Sequence, residues 1–443
     1  MGDEPLGALI RRLRLDADLT LERLSEASGI SDRALSDIER GAARGPQHRT
    51  VVAIAAALGV GEIERAAMFR AARDGRRRTA PPARLPLPPA VADFVGRDAE
   101  LARTTAALAS PGDLRPPLTV ITGPPGYGKT SLAVRAAASL RDRFPEQLFL
   151  RLGGCSPEPL PAEAVAFRII RALTGRAGSD PHQVRQVLAD RRVLLVLDDT
   201  ASEAQVRKVF PSRGPAAVLV TSRRSLAGLD GAQRVPVDRL PRADALRLLA
   251  GAIPTEQRVR ADLSELARLC DDVPLALRIA ANRVASHPAL TVAGLAARLN
   301  ADDRRMAALT AGDVSMAAAI RPSVTQLSPG AQLLFRRLAA AAGPVFNSDL
   351  AACLLSAPLR RAEELLDELV DSSLVQPAAG DRYGLADLLR SYARAELPQE
   401  PARTHPAVPA PAGERSLTTA HERPRPQSPA VATAEPSPAL SAS

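Results

Sequence analysis

The spacing of apolar positions changes several times along the chain, and each change marks a different kind of element. Between residues 5 and 78 apolar side chains recur in short runs at helical intervals, which predicts five short helices. Leu24, Ala27, Ile30, Leu35 and Ile38 fall at spacings that bury one side of two consecutive helices. Val52, Ile54 and Leu58 of the next helix complete that small core. Thr20 and Ser31 stand at N-cap positions, Gly29 at the turn between the two helices, and Gly41 where the second must stop.

The stretch RTAPPARLPLPPAVAD (78 to 93) then breaks all periodicity with its prolines and predicts an extended linker. From Phe94 to about Leu249, short β-rich runs (LTVIT, LFLRL, VLLVL, AVLVT, RVPV) alternate with helical stretches, the pattern of a parallel sheet with crossover helices. Residues 250 to about 310 return to 3.6-residue spacing, as at Leu263, Leu266, Ala267 and Leu269, without strand candidates. Residues 315 to 397 are helical and close with SLVQPAAGDRYGLADLL, which predicts a hairpin around Gly380 and Asp381 followed by a helix. Beyond Leu397 the composition of Pro, Ala, Ser and Thr cannot offset the entropy of ordering, so a disordered tail is expected. The fold class is thus multidomain: an all-α helix-turn-helix (1–78), a linker (79–93), an α/β P-loop domain with a parallel sheet (94–249), a helical bundle (250–314), a winged-helix-like domain (315–397) and the tail (398–443).

Composition adds limits to this picture. A chain of 443 residues exceeds one ordinary core. Its 46% hydrophobic content with 2% aromatics and no Trp implies aliphatic, mostly helical cores. The net charge of +9 comes almost wholly from Arg, with Lys129 and Lys208 the two lysines, and it permits nucleic-acid binding without demanding it. Cys155, Cys270 and Cys353 have no metal or redox spacing and fit buried thiols in a reducing cytoplasm. No signal peptide or membrane span is visible, so a cytoplasmic protein is expected.

The chemistry concentrates in LTVITGPPGYGKTSLAVRAA. Gly123, Gly128, Lys129 and Thr130 satisfy GxxxxGK[ST] between a strand at 118 to 122 and a helix starting near Gly128. The backbone N–H groups of Gly123, Gly126, Tyr127, Gly128 and the helix start through Ser131, with Pro124 and Pro125 shaping the turn, would wrap phosphates of ATP or ADP. Within that loop, Gly126 and Tyr127 join the candidate binding set. Lys129 would reach the β- and γ-phosphates and Thr130 would give a hydroxyl to Mg²⁺. About 70 residues on, RRVLLVLDDT ends a buried strand with Asp198, expected on Mg²⁺, and Asp199, expected to polarise the attacking water. The next strand ends in Arg223, placed at the same sheet end and so able to sense a γ-phosphate.

Taken in order, these segments resemble the NB-ARC branch of the STAND NTPases, over Phe94 to about Leu397. DFVGRDAEL is similar to the family's adenine-side segment, through Val95, Gly96 and Arg97, and DDVPLAL resembles its GLPLAL motif, whose proline is Pro274 here. RYGLADLLRSYAR resembles the winged-helix MHD-type motif with Leu385 and Asp387 in place. Two departures stand out: Asp272 replaces the usual glycine, and Ala386 replaces the histidine that in the family bonds the β-phosphate of ADP. The resemblance therefore implies adenine-nucleotide binding at Asp387 and Pro274 among others, with ADP held less tightly than is usual in the family.

The N-terminal pattern resembles the Cro and lambda-repressor type of helix-turn-helix, in which the second helix enters the major groove of double-stranded DNA. Ser31, Asp32, Arg33, Ser36, Asp37 and Arg40 are then the DNA-facing candidates, Arg33 suiting guanine and Arg40, Arg44 and Arg49 suiting phosphate. The bland alternative makes Arg33, Asp37 and Arg40 exposed helix ion pairs. The expected function is a nucleotide-switched transcriptional regulator whose ATP-bound form opens and homo-oligomerises, with slow hydrolysis as a reset. The rivals are a signalling or defence ATPase whose N-terminal module docks a protein, and a metabolic kinase.

Overall fold

A computed structural model describes residues 5–43, 46–79, 85–110, 115–175, 180–341 and 343–397, without the side chains of 73–79 and 302–303. The expected tail (398–443) and Arg44 lie outside what it describes.

The first five helices are α1 (Leu6–Asp16), α2 (Leu21–Ser28), α3 (Asp32–Glu39), α4 (His48–Ala57) and α5 (Glu62–Thr79). Capping explains their limits: the Thr20 hydroxyl accepts from Arg23 N at 3.3 Å, Ser31 accepts from Ala34 N at 3.4 Å, and Gly29 closes α2 at φ 69°. Leu24, Leu35, Ile38, Ile54 and Leu58 are buried in a core built from these helices. Three expected members are not: Ala27 is exposed, and Ile30 and Val52 are half-buried, Ile30 packing against this core. The inward stripe of α4 is Val51, Ile54, Ala55 and Leu58, the i, i+3, i+4, i+7 set, and Val52 sits one step off it. The guanidinium of Arg14 donates to both oxygens of Glu39, at 2.7 and 3.0 Å, tying α1 to α3.

The α/β part contains α6 (Asp98–Ala109), β1 (Leu118–Thr122), α7 (Lys129–Ser139), β2 (Glu146–Arg151), α8 (Ala162–Thr174), α9 (Pro181–Ala189), β3 (Val193–Asp198), α10 (Glu203–Arg207), β4 (Ala217–Ser222) and β5 (Gln233–Pro236). All four strand pairings are parallel, in the order β2-β3-β4-β1-β5. Every residue of β3 is buried, as a strand covered on both faces requires. Leu194 and Val196 enter the core on one face, and Val193, Leu195 and Leu197 enter the core on the other. Because β3, β4 and β1 are neighbours, their carboxyl ends open onto one crevice. The second half of the expected linker belongs to this domain: Leu87 and Leu85 pack on its two cores, and Leu85 O accepts from Phe149 N at 2.8 Å.

Helices α11 (Arg242–Ala252), α12 (Arg260–Leu269), α13 (Pro274–Ser286), α14 (Val292–Asn300) and α15 (Asp302–Ala308) follow, with α11 straddling the expected boundary at 249. A two-residue pairing of β6 (Thr310–Ala311) with β7 (Val314–Ser315) begins where the sequence had offered no strand. The last part contains α16 (Met316–Thr325), α17 (Pro329–Ala340), β8 (Val345–Asn347), α18 (Ser348–Leu355), α19 (Leu359–Asp371), β9 (Gln376–Ala378), β10 (Arg382–Gly384) and α20 (Asp387–Glu396). The expected hairpin is β9–β10, and β8 adds a third antiparallel strand in the order β8-β10-β9. One continuous apolar core runs from Ile121 and Leu132 through α11 to α14 and on to Leu388 and Tyr392.

Candidate nucleotide site and DNA-facing helix

The crevice begins where β1 runs into its loop. Gly123 has φ 146°, and a Cβ there would lie 2.4 Å from Val237 O, so the chain can take this path only with glycine. Gly128, in the left-handed region, caps α7 and directs its first N–H groups into a cavity of about 420 Å³. Lys129 Nζ donates to Gly123 O at 2.7 Å and Pro124 O at 2.8 Å. Burial of this ammonium, with the charge of Arg223 added, pushes its pKa down to about 7. Negative phosphate oxygens in the same cavity would restore its charge.

The carboxylate of Asp198 is 1% exposed at the end of β3. Its Oδ1 accepts from the hydroxyls of Thr130 and Thr221, both at 2.7 Å, and Arg151 Nε approaches its Oδ2 at 3.4 Å. A P-loop hydroxyl against a strand-end carboxylate is the donor set that suits Mg²⁺, a hard cation that takes oxygen ligands. Asp199 differs from its neighbour. It has φ 56°, and its carboxylate accepts from Cys155 N at 3.1 Å and Cys155 Sγ at 2.9 Å. Burial pushes the Cys155 thiol up to about 12, so it is a donor here. Only one of the three cysteines is a buried thiol as expected: Cys270 is buried, Cys155 half-buried and Cys353 exposed. Spacing alone does not fix burial.

Arg223 lines the cavity yet reaches away from β4, its Nη1 donating to Ala319 O at 2.6 Å and Ser323 Oγ at 2.8 Å of α16. Further along the same loop, Ser225 Oγ donates to Asp371 Oδ1 at 2.7 Å.

Of the expected binding residues, Val95, Arg97, Pro125, Gly126, Tyr127, Gly128, Lys129, Thr130, Ser131, Asp198, Asp199, Arg223 and Pro274 line the cavity. Gly96, Gly123, Pro124 and Asp387 are not among its lining residues. Gly123 and Pro124 contribute backbone carbonyls to Lys129 instead, and Gly96 leaves no room for a side chain, since a Cβ would stand 2.5 Å from Asp244 Cβ. Arg97 is 4% exposed and committed to the protein, donating to Glu100 at 3.0 Å, to Tyr127 O at 3.3 Å and to Asp238 O, so it braces the loop. Pro274 opens α13, whose Leu275 N donates to Gly126 O at 3.1 Å. The turn before it forms despite Asp272, with Asp271 and Asp272 both left-handed at φ 53° and 52°. Arg239 pairs with Asp271, and Arg242 with Asp272 at 2.9 Å. Burial outweighs Arg239 and raises Asp271 to about 6. Ala386 caps α20 without a side-chain bond, and Asp387 is exposed.

Sequence reasoning missed the apolar wall of Phe94, Leu240, Leu248 and Leu275. Thr221 and Ser222, the last two residues of β4, also line it, as their place at the strand end suggests. The two leucines from the β5–α11 region had no such signal, because only the fold carries them to the crevice.

On α3, Asp32 and Arg33 are exposed, and Arg33 makes no hydrogen bond or ion pair among the described residues. Ser31 spends its oxygen on the cap. Arg40 donates to Asp37 Oδ1 at 2.8 Å and to Ser36 O at 3.3 Å, the internal pairing that was the bland alternative for those two charges. Arg49, the other phosphate candidate, is exposed near the start of α4.

A helix-turn-helix domain model matches residues 5–68, and an AAA ATPase domain model matches residues 93–283. The chain is 37% identical over 320 residues to the regulatory protein AfsR of Streptomyces griseus, covering 70% of this chain and 33% of that one. AfsR of Streptomyces coelicolor is 37% identical over 325 residues, again 70% and 33%. The chain thus spans about a third of the length of these relatives. An uncharacterized protein of Mycobacterium tuberculosis is 31% identical over 278 residues, 56% of this chain and 66% of that one. Among solved structures, a Walker-type ATPase of Pyrococcus abyssi has a TM-score of 0.48 at 14% identity, covering 71% of this chain and 99% of that one. Segments of the chain thus match a helix-turn-helix domain model and an AAA ATPase domain model, and over the matched length the chain is similar to the Streptomyces regulatory proteins AfsR.

Proposed function

We propose that the protein is a DNA-binding transcriptional regulator switched by the adenine nucleotide in the crevice at the carboxyl ends of β1, β3 and β4. The observation that carries this reading is Arg223. It lines the nucleotide cavity and is bonded to α16, so one side chain has to choose between a triphosphate and the winged-helix part. Lys129 and the N–H groups opening α7 would hold the β- and γ-phosphates. Thr130 and Asp198 would hold Mg²⁺, which would offset phosphate charge. Asp199 would polarise the attacking water, and Val95, Phe94 and Pro274 would bound the base. With a γ-phosphate present, Arg223 would turn toward it and release α16. The closed arrangement then loosens, and two or more copies associate.

Pairing matters because a single small reader contacts few base pairs, whereas two tethered readers gain effective concentration. The motif order that resembles the NB-ARC branch, and the regulatory names of the relatives, support the same reading. Ala386 offers no side-chain hydrogen-bond donor, which fits a weak hold on ADP. The test is titration of labelled ADP and ATP against wild type and Lys129→Ala, with gel filtration beside it. Tight uptake by wild type, lost in the variant, and a larger species with the ATP analogue alone are expected. No uptake by wild type refutes a nucleotide switch.

A further inference from the structure

In the proposed function Asp199 is the carboxylate that would take a proton from water, yet both its oxygens already accept bonds from one residue, Cys155. The loop that delivers Cys155 is fastened twice. Gly154 N donates to Asp199 O at 2.6 Å, and a Cβ on Gly154 would lie 2.5 Å from that oxygen, so only glycine permits the approach. On the other side, Gln326 Nε2, at the end of α16, donates to Gly154 O at 2.8 Å. The same helix holds Arg223 through Ala319 and Ser323. One element, α16, therefore restrains both the cation that faces the γ-phosphate and the carboxylate that faces the water.

We propose that Cys155 and Gln326 form a clamp that keeps Asp199 from acting as the base until α16 moves. This deepens the reading of the site given above and rests on it. In hydrolysis the water oxygen bonds to the γ-phosphorus as the bond from that phosphorus to the β,γ-bridging oxygen breaks. The electron pair leaves with ADP, and the water proton passes to Asp199 and then to solvent. While the Cys155 thiol and N–H occupy the carboxylate, it has a poor orientation for accepting that proton. Release of Gln326 lets the loop withdraw. Cys155 is a positioning residue, since it touches Asp199 and is not among the cavity-lining residues.

The experiment is steady-state ATP hydrolysis by the full chain for wild type, Cys155→Ala, Cys155→Ser, Gln326→Ala and Asp199→Asn. Removing one hydrogen bond to the carboxylate is expected to raise kcat about five- to tenfold in Cys155→Ala, with KM unchanged. Gln326→Ala, which loosens the clamp from the far side without touching Asp199, should raise kcat in the same direction. Cys155→Ser keeps a donor and should return kcat toward wild type. Asp199→Asn should bind ATP and fail to hydrolyse it. If Asp199→Asn hydrolyses at the wild-type rate, the underlying assignment of the base fails and the clamp with it. If Asp199→Asn is inactive while Cys155→Ala and Gln326→Ala leave kcat unchanged or lower it, the clamp alone is overturned.

Discussion

In the proposed function helix α3 and the crevice at the carboxyl ends of β1, β3 and β4 each meet a phosphate-bearing partner, but they stand in opposite states. On α3 the first turn is open, with Arg33 free of partners among the described residues and Asp32 exposed. In the crevice nearly every polar group is already engaged: Lys129 by loop carbonyls, Asp198 by two hydroxyls, Asp199 by Cys155 and Arg223 by α16. Groups held this way must exchange partners when a ligand enters, and such exchange can be coupled to movement elsewhere. Groups that are free have nothing to release. The difference supports the proposal that control belongs in the crevice, with α3 open to a partner from the start.

Three substitutions separate the two regions. The largest effect is expected at Lys129. Lys129→Ala removes charge-assisted contacts to two phosphates, each worth about 1.5 to 3 kcal/mol, so nucleotide affinity should fall at least about 100-fold in fluorescence titration. Binding of the isolated reader's half-site should be untouched, and a parallel loss of DNA affinity in the absence of nucleotide would break the contrast. Next, Arg33→Ala should cost about 1 to 3 kcal/mol on a specific site and relax one base position in a selection from random DNA, with nucleotide affinity unchanged. A smaller effect is expected at Ala386→His, which offers a donor near α20. It should raise the ADP retained through purification, and an equal or lower ADP content would count against the weak-ADP reading.

The least effect is one of pH on stability, at the turn before α13. Asp271 has a folded-state pKa of about 6, raised above its unfolded value by burial. Between roughly pH 4 and 6 the folded chain therefore binds more protons than the unfolded one at this site, and its contribution to stability falls as pH rises through that window. Asp271→Asn should raise Tm more at pH 7.5 than at pH 4.5. An equal shift at both would mean that Arg239 compensates the charge.

Much of this was legible beforehand for a physical reason. Caps, glycine turns and strand-end carboxylates are local signals, so Thr20, Ser31, Gly29, Gly128, Lys129 and Asp198 could be placed from neighbours in the chain alone. The central strands β1, β3 and β4 were legible because they are buried on both faces and read as continuous apolar runs. What stayed hidden was long-range. Leu240 and Leu248 reach the cavity only through the packing of α11, and Arg223 meets α16 across 96 residues of sequence. Cys155 meets Asp199 across 44. Asp387 was placed by resemblance alone, and in this structure it lies outside the cavity lining. Strand β8, at three residues, is too short to leave a period-two pattern.

The most direct measurement is an equilibrium titration of the full chain on a DNA site chosen by selection from random sequence, run in parallel with ADP and with a non-hydrolysable ATP analogue. The account predicts tighter, steeper binding with the ATP analogue, accompanied by a doubled or larger footprint. Identical isotherms with both nucleotides, each of them demonstrably bound, would contradict it.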